Sequence, residues 1–96
     1  MPTEIRVVQK EDGPSGWVYD VTVSEGKSST VHAGSVRSTD YQSLTNGKVP
    51  PEVFVERSFQ FLLEREPKES ILSRFDITVI GRYFPEYEGE IRRRLQ

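Results

Sequence analysis

The chain has no cysteine and a single histidine. Disulfide frameworks, thiolate zinc sites and thiol nucleophiles are therefore excluded, as is any centre that needs two imidazoles. No apolar run exceeds three residues, so nothing reads as a membrane span, and the polar start does not read as a secretory signal. Neither sign of charge dominates: 13 Lys and Arg stand against 15 Asp and Glu, a formal charge of −2. The chain as a whole thus carries no field that would draw nucleic acid or an anionic membrane. What it does carry is aromatic: five Phe, four Tyr and one Trp in 96 residues, too many for a disordered chain. Together these features predict one small cytoplasmic domain over residues 1–96, with no cofactor, no metal and no catalytic residue.

The texture changes near Ser38. Before it apolar residues alternate, and after it they recur at three and four, so residues 1–37 read as β-rich and 38–96 as helical, an α+β class. A first strand is expected over Glu4–Gln9, followed by a polar turn over Lys10–Gly16. In the second strand Trp17, Tyr19, Val21 and Val23 share one face, the pattern of a half-buried antiparallel strand. The third strand is expected over Ser29–Val36. A three-residue loop, Glu25–Lys27, would pair Val21 with Val31 and Tyr19 with Ala33, gathering apolar residues together and turning His32 outward. The expected sheet is three-stranded and antiparallel.

A short helix is expected over Asp40–Thr45, with Thr39 and Gln42 as a capping box and Asn46-Gly47 as a left-handed stop. The strongest pattern is a long central helix, Pro51–Glu66. Proline suits its first position, and Phe54, Val55, Phe59, Phe61, Leu62 and Leu63 cover a wide arc around Ser58. Ser58 is small enough there to admit another backbone. Beyond Pro67, short helices are expected over Lys68–Phe75, with Ile71, Leu72 and Phe75 inward, over Ile77–Tyr83 after an Asp76 cap, and over Pro85–Leu95. In the last of these Tyr87, Ile91 and Leu95 form a stripe. Gly81, beside the apolar stripe, suggests close helix packing.

Few constellations could carry chemistry. His32 with Ser28 or Ser29 and Asp20 holds the atoms of a nucleophilic triad, but neither a strained nucleophile turn nor an oxyanion donor set accompanies them. The carboxylates of Glu64, Glu66, Glu86, Glu88 and Glu90 lack a second ligand type, and the last three suit a helix start on electrostatic grounds alone. No glycine-rich loop opens a helix as a phosphate cradle must. The pair Lys68–Phe75 and Ile77–Tyr83 has the length of a helix-turn-helix, yet offers bases only Thr78 and Arg82.

Two readings of function follow. The first is a non-catalytic protein–protein interaction module or homodimer, using Arg82, Tyr83, Phe84 and Tyr87, because large aromatics and Arg anchor interfaces. The alternative is a weak nucleic-acid binder using Arg92, Arg93 and Arg94 with Arg82. Against it, Glu88 and Glu90 lie four residues before Arg92 and Arg94, where they would pair within the helix. The stretches Ser58–Pro67, Ser70–Asp76 and Tyr83–Tyr87 resemble a family of small uncharacterised bacterial proteins. That resemblance covers the C-terminal half and implies a bacterial, cytoplasmic protein; it attaches no activity, ligand or residue role.

Overall fold

The computed structural model describes residues 3–95. Three strands come first: β1 (Thr3–Gly13), β2 (Gly16–Glu25) and β3 (Ser28–Arg37). Helices α1 (Ser38–Thr45) and α2 (Pro51–Leu63) follow, then a 3-10 turn at Lys68–Ser70. The chain ends in a short strand β4 (Arg74–Asp76) and two helices, α3 (Val79–Tyr83) and α4 (Tyr87–Arg94). The four strands form one sheet in the order β1-β2-β3-β4, antiparallel except for the parallel β3–β4 pair. One face of the sheet carries Tyr19, Val21, Val23 and Val36 into the core, where Phe54, Val55, Phe59, Phe61 and Leu62 of α2 meet them.

The α+β class holds, but the sheet is four-stranded and mixed rather than three-stranded and antiparallel, and its fourth strand lies inside the half expected to be helical. Instead of a helix over Lys68–Phe75 there is the 3-10 turn, an irregular stretch and β4. Pro67 holds the chain extended as it enters the turn, and β3 offers unpaired backbone groups beside it. The spacing of Ile71 and Phe75 that suggested a helix buries both residues anyway, while Leu72 is exposed.

The β2–β3 register also differs from expectation. Gly26 and Lys27 form a two-residue loop, with Glu25 opposite Ser28, Val21 opposite His32 and Tyr19 opposite Gly34. Gly26 takes the left-handed φ of 62°, and glycine as the first of two loop residues is the requirement of a type II′ turn. A three-residue loop would ask for positive φ at Lys27 instead. Because side chains alternate, the one-residue difference turns His32 inward and leaves Val31 60% exposed. The first hairpin is likewise tighter than expected, since β1 runs on to Gly13 through a register shift between Gln9 and Glu11. Gly16 then sits at φ 157°, where an added Cβ would lie 2.1 Å from the Val36 carbonyl oxygen; only glycine fits.

Helix α2 starts at Pro51 as expected but ends at Leu63 rather than Glu66; it spans 13 residues, about 20 Å, and is not the long helix expected. Its end tightens as the Arg65 and Glu66 amides both bond the Leu62 carbonyl, and Pro67 forbids a further turn. Helix α1 begins at Ser38 without the expected capping box, and Asn46 and Gly47 end it in left-handed geometry. Tyr87, Ile91 and Leu95 are buried as their spacing predicted. No close packing explains Gly81, where an added Cβ would meet nothing nearer than 3.9 Å.

Candidate functional site

The segment between α2 and α3 is tied to β3 at several points. His32 Nδ1 lies 2.8 Å from the Leu72 carbonyl oxygen, and its Nε2 lies 2.8 Å from Thr30 Oγ1. A carbonyl can only accept, so the proton sits on Nδ1 and, in the neutral ring, Thr30 donates to Nε2. One residue along, the Ala33 amide donates to the Ser73 carbonyl at 2.8 Å. Lys68 is buried and pairs with Glu69 and, at 3.3 Å, with Glu25 at the tip of the β2–β3 hairpin. The hydrogen bond to Glu69, with support from Glu25, holds its ammonium above the usual lysine range despite the opposing effect of burial. Register then places Phe75 opposite Gly34, with its ring 5.7 Å from that of Phe59.

Asp76 completes the anchoring. One of its oxygens accepts the Thr78 amide at 3.0 Å and the Thr78 hydroxyl at 2.7 Å, and the other accepts the Ser35 hydroxyl at 2.9 Å. Burial pushes its carboxyl up, but the Thr78 and Ser35 donors, with the Arg37 charge, outweigh that and hold it below its ordinary value of 3.8. A depressed folded-state pKa contributes stability that is complete above the unfolded value and disappears as pH falls through the folded one. Asp76→Asn is therefore expected to lower the melting temperature at neutral pH, with the gap from wild type closing below about pH 4. Thermal melts of both chains between neutrality and strong acid check this; a gap independent of pH would refute it.

With that segment fixed, its outer side, the end of α2 and α3 enclose a hollow of about 340 Å³. Leu62, Ile71, Phe75 and Ile80 form its buried apolar surface, while Leu72 and Tyr83 line it from outside, 48% and 67% exposed. Glu66 is the one charged group in the lining. The volume falls at the lower end of the range for small-molecule and side-chain pockets. Among the described residues no buried side-chain polar atom lacks a hydrogen-bond partner, so the buried wall of the hollow holds no unpaired polar group. Its chemistry is apolar capture, with a carboxylate at one side.

The four residues proposed for an interface divide. Tyr83 and Phe84 line the hollow, Phe84 half-buried with its ring edge-on to Phe61 at 6.0 Å. Arg82 is exposed outside it. Tyr87 belongs to the core: it is 1% exposed, and its hydroxyl lies 2.7 Å from Ser58 Oγ. Ser58 thus receives a phenol rather than an approaching backbone. The residues that sequence reasoning missed are Leu62, Glu66, Ile71 and Leu72, drawn together from two segments that only the fold makes neighbours.

Two of the three arginines of α4 are paired within the molecule. Arg93 pairs with Glu90, and Arg94 pairs with Glu64 at 2.6 Å and Glu90 at 3.5 Å, while Arg92 is exposed. The hydrogen bond from Arg94 holds the Glu64 carboxyl below the usual carboxylate range. Arg65 covers Phe61, its guanidinium carbon 3.6 Å from the ring centroid, and bonds Glu86 at 3.0 Å. The nucleophilic constellation is not assembled, because His32 faces the core whereas Asp20, opposite Ala33, points to the other face of the sheet. Among the described residues no cluster of His, Asp and Glu could hold a metal ion, and no helix is long and apolar enough to cross a membrane. Comparison of the chain with family models, with curated proteins and with solved structures finds no match.

Proposed function

We propose that this protein is a non-catalytic interaction module that docks one segment of another protein in the hollow between α2 and α3. The observation that carries this reading is the pair Leu72 and Tyr83, two large apolar side chains held in solvent beside a cavity with an apolar lining. Neither is needed to close the core, and each would gain by burial against a partner. Charge selects the occupant: with Glu66 as the single charge in the lining, the fitting segment is amphipathic, with apolar anchors beside a Lys or Arg. The alternative, nucleic-acid binding through Arg82 and Arg92–Arg94, is weakened by the carboxylates that already occupy Arg93 and Arg94.

An amphipathic peptide with apolar anchors at helical spacing and flanking lysines, titrated into isotopically labelled protein, is expected to shift the amides of Leu72, Val79, Ile80 and Tyr83. The same peptide with glutamates for lysines is expected to bind several-fold more weakly, as the Glu66 contact reverses sign. The docking reading fails if neither peptide moves those amides. It also fails if labelled DNA or RNA binds instead, with an affinity that drops steeply with salt and is lost in Arg92→Ala.

A further inference from the structure

The free edge of the sheet is a second surface, separate from the hollow. The Ala33 amide donates to Ser73, and the Ser35 carbonyl accepts from the Ile77 amide. Odd-numbered residues of β3 therefore aim their backbone groups toward β4 and even-numbered ones toward β2, because successive residues of a strand alternate. Carried through the registers, this makes Glu4, Arg6 and Val8 the β1 residues that bond β2, opposite Ser24, Thr22 and Asp20. Thr3, Ile5, Val7 and Gln9 then aim their N–H and C=O groups away from the sheet. Among the described residues no turn, loop or helix supplies backbone partners to them.

That edge is complementary to itself. In an antiparallel pairing with Val7 opposite Val7 of a second copy, Ile5 falls opposite Gln9 and Arg6 opposite Val8. Glu4 falls opposite Lys10, and two-fold symmetry makes each of these pairs occur twice. Lys10 and Glu11 line a cleft with Val18 and Ala33, which places Lys10 on the outer face of the sheet, the face Glu4 shares. The 54% exposed Val8 gains the stem of Arg6 as cover. Neighbouring registers are poorer. Centring on Arg6 opposes two arginines, and centring on Val8 sets Arg6 against Lys10. Centring on Ile5 sets Glu4 opposite Arg6, but it pairs only Thr3–Val7 of the described residues and leaves the exposed Val8 without that cover. A bulge and a lysine are devices that protect an edge from pairing; here the shift lies past Gln9, so the backbone seam ends there, and Lys10 meets Glu4 just beyond it through its long side chain.

We propose that two copies of this chain join β1 to β1, antiparallel and centred on Val7, in one continuous sheet of eight strands. About six backbone hydrogen bonds would form, two at each of the pairs Val7–Val7, Ile5–Gln9 and Gln9–Ile5. Such a seam is small, so the dimer belongs to the weak, concentration-dependent class.

Sedimentation equilibrium of the full chain over a range of concentrations tests this. The mass is expected to rise toward twice that of the monomer. Gln9→Pro removes an outward amide that serves no bond within the sheet, and is expected to abolish the dimer while the folded monomer persists. Lys10→Glu and Glu4→Lys are each expected to weaken association about tenfold, through two like-charge pairs. The double variant Glu4→Lys with Lys10→Glu is expected to restore it. A chain that stays monomeric at every concentration overturns the proposal, as does a dimer indifferent to Gln9→Pro or a double variant no better than the singles. Leu72→Glu with Tyr83→Glu is expected to leave the dimer intact; a dimer lost in that variant runs through the hollow and overturns the edge pairing, whereas loss of peptide binding alone bears only on the docking reading.

Discussion

Phe59→Ala is expected to remove about 3–5 kcal/mol of folding stability. Domains of this kind hold only about 5–15 kcal/mol in total. The ring has no exposed surface and sits where three parts of the molecule meet. It lies 5.7 Å from the imidazole of His32 and 5.7 Å from the ring of Phe75. Gly34 faces it from the sheet, and a Cβ there would stand 4.0 Å from the edge of the ring. Truncation therefore leaves a cavity walled by β3, β4 and α2, which can collapse only by moving backbone. Each kcal/mol is worth about 4–8 °C of melting temperature in a domain this size, so thermal and denaturant unfolding both read the effect. Hydrogen exchange adds a local signature: the Ala33 amide, bonded to Ser73, should lose protection together with the global core, because β4 is seated on Phe59. A loss below about 1 kcal/mol would show that the ring is not buried as described.

That junction also explains which parts of the fold could be read from the sequence. Helix α2 was legible because its burial is written in its own periodicity, and its start in the proline at Pro51. The strand Trp17–Val23 was legible for the same kind of reason, a face of alternating large side chains. Strand β4 was not. Three residues are too few to show a period, and Ile71 and Phe75 sit at a spacing that a helix and an irregular segment ending in a strand can both bury. The His32 register turned on where one glycine sits within a loop. Apolar pairing favours gathering Val31 and Ala33 against the core, whereas the turn at Gly26 requires the neighbouring register. The imidazole is tolerated inside because Leu72 and Thr30 satisfy both of its nitrogens. Those partners lie 40 and two residues away, so only Thr30 could have been noticed in advance.

The hollow was half legible. Tyr83 and Phe84 stood out as large rings at a proline bend, and both line it. Its other wall depends on β4 pulling the chain after Pro67 against β3, which exposes Leu72 instead of burying it. A helix over Lys68–Phe75 would have no such wall. The open edge of β1 was hidden for a different reason. A strand's free side is a property of sheet order, and sheet order appears only when the fourth strand is found on the far side of β3.

Tyr87→Ala separates the core from the interface most sharply. The sequence grouped this residue with exposed aromatics, and loss of association without loss of stability would support that grouping. The structure gives the opposite expectation. Tyr87 is 1% exposed and its ring meets that of Phe61 edge-on at 5.3 Å. Ser58 has one hydroxyl proton and directs it to the Phe54 carbonyl at 2.9 Å, so Tyr87 must donate to Ser58 Oγ. Truncation to alanine removes the ring and this bond together and is expected to cost about 3–5 kcal/mol, on the scale of other buried aromatics. Tyr87→Phe keeps the ring and leaves Ser58 bonded to Phe54, for a cost of about 0.5–1.5 kcal/mol. Denaturant titration of the two variants measures the difference, which should be mostly packing. Sedimentation of Tyr87→Phe, which stays folded, should match wild type, because neither the β1 edge nor the hollow includes the phenol. A fall in association at unchanged stability in either variant would return Tyr87 to the surface and remove α4 from the core.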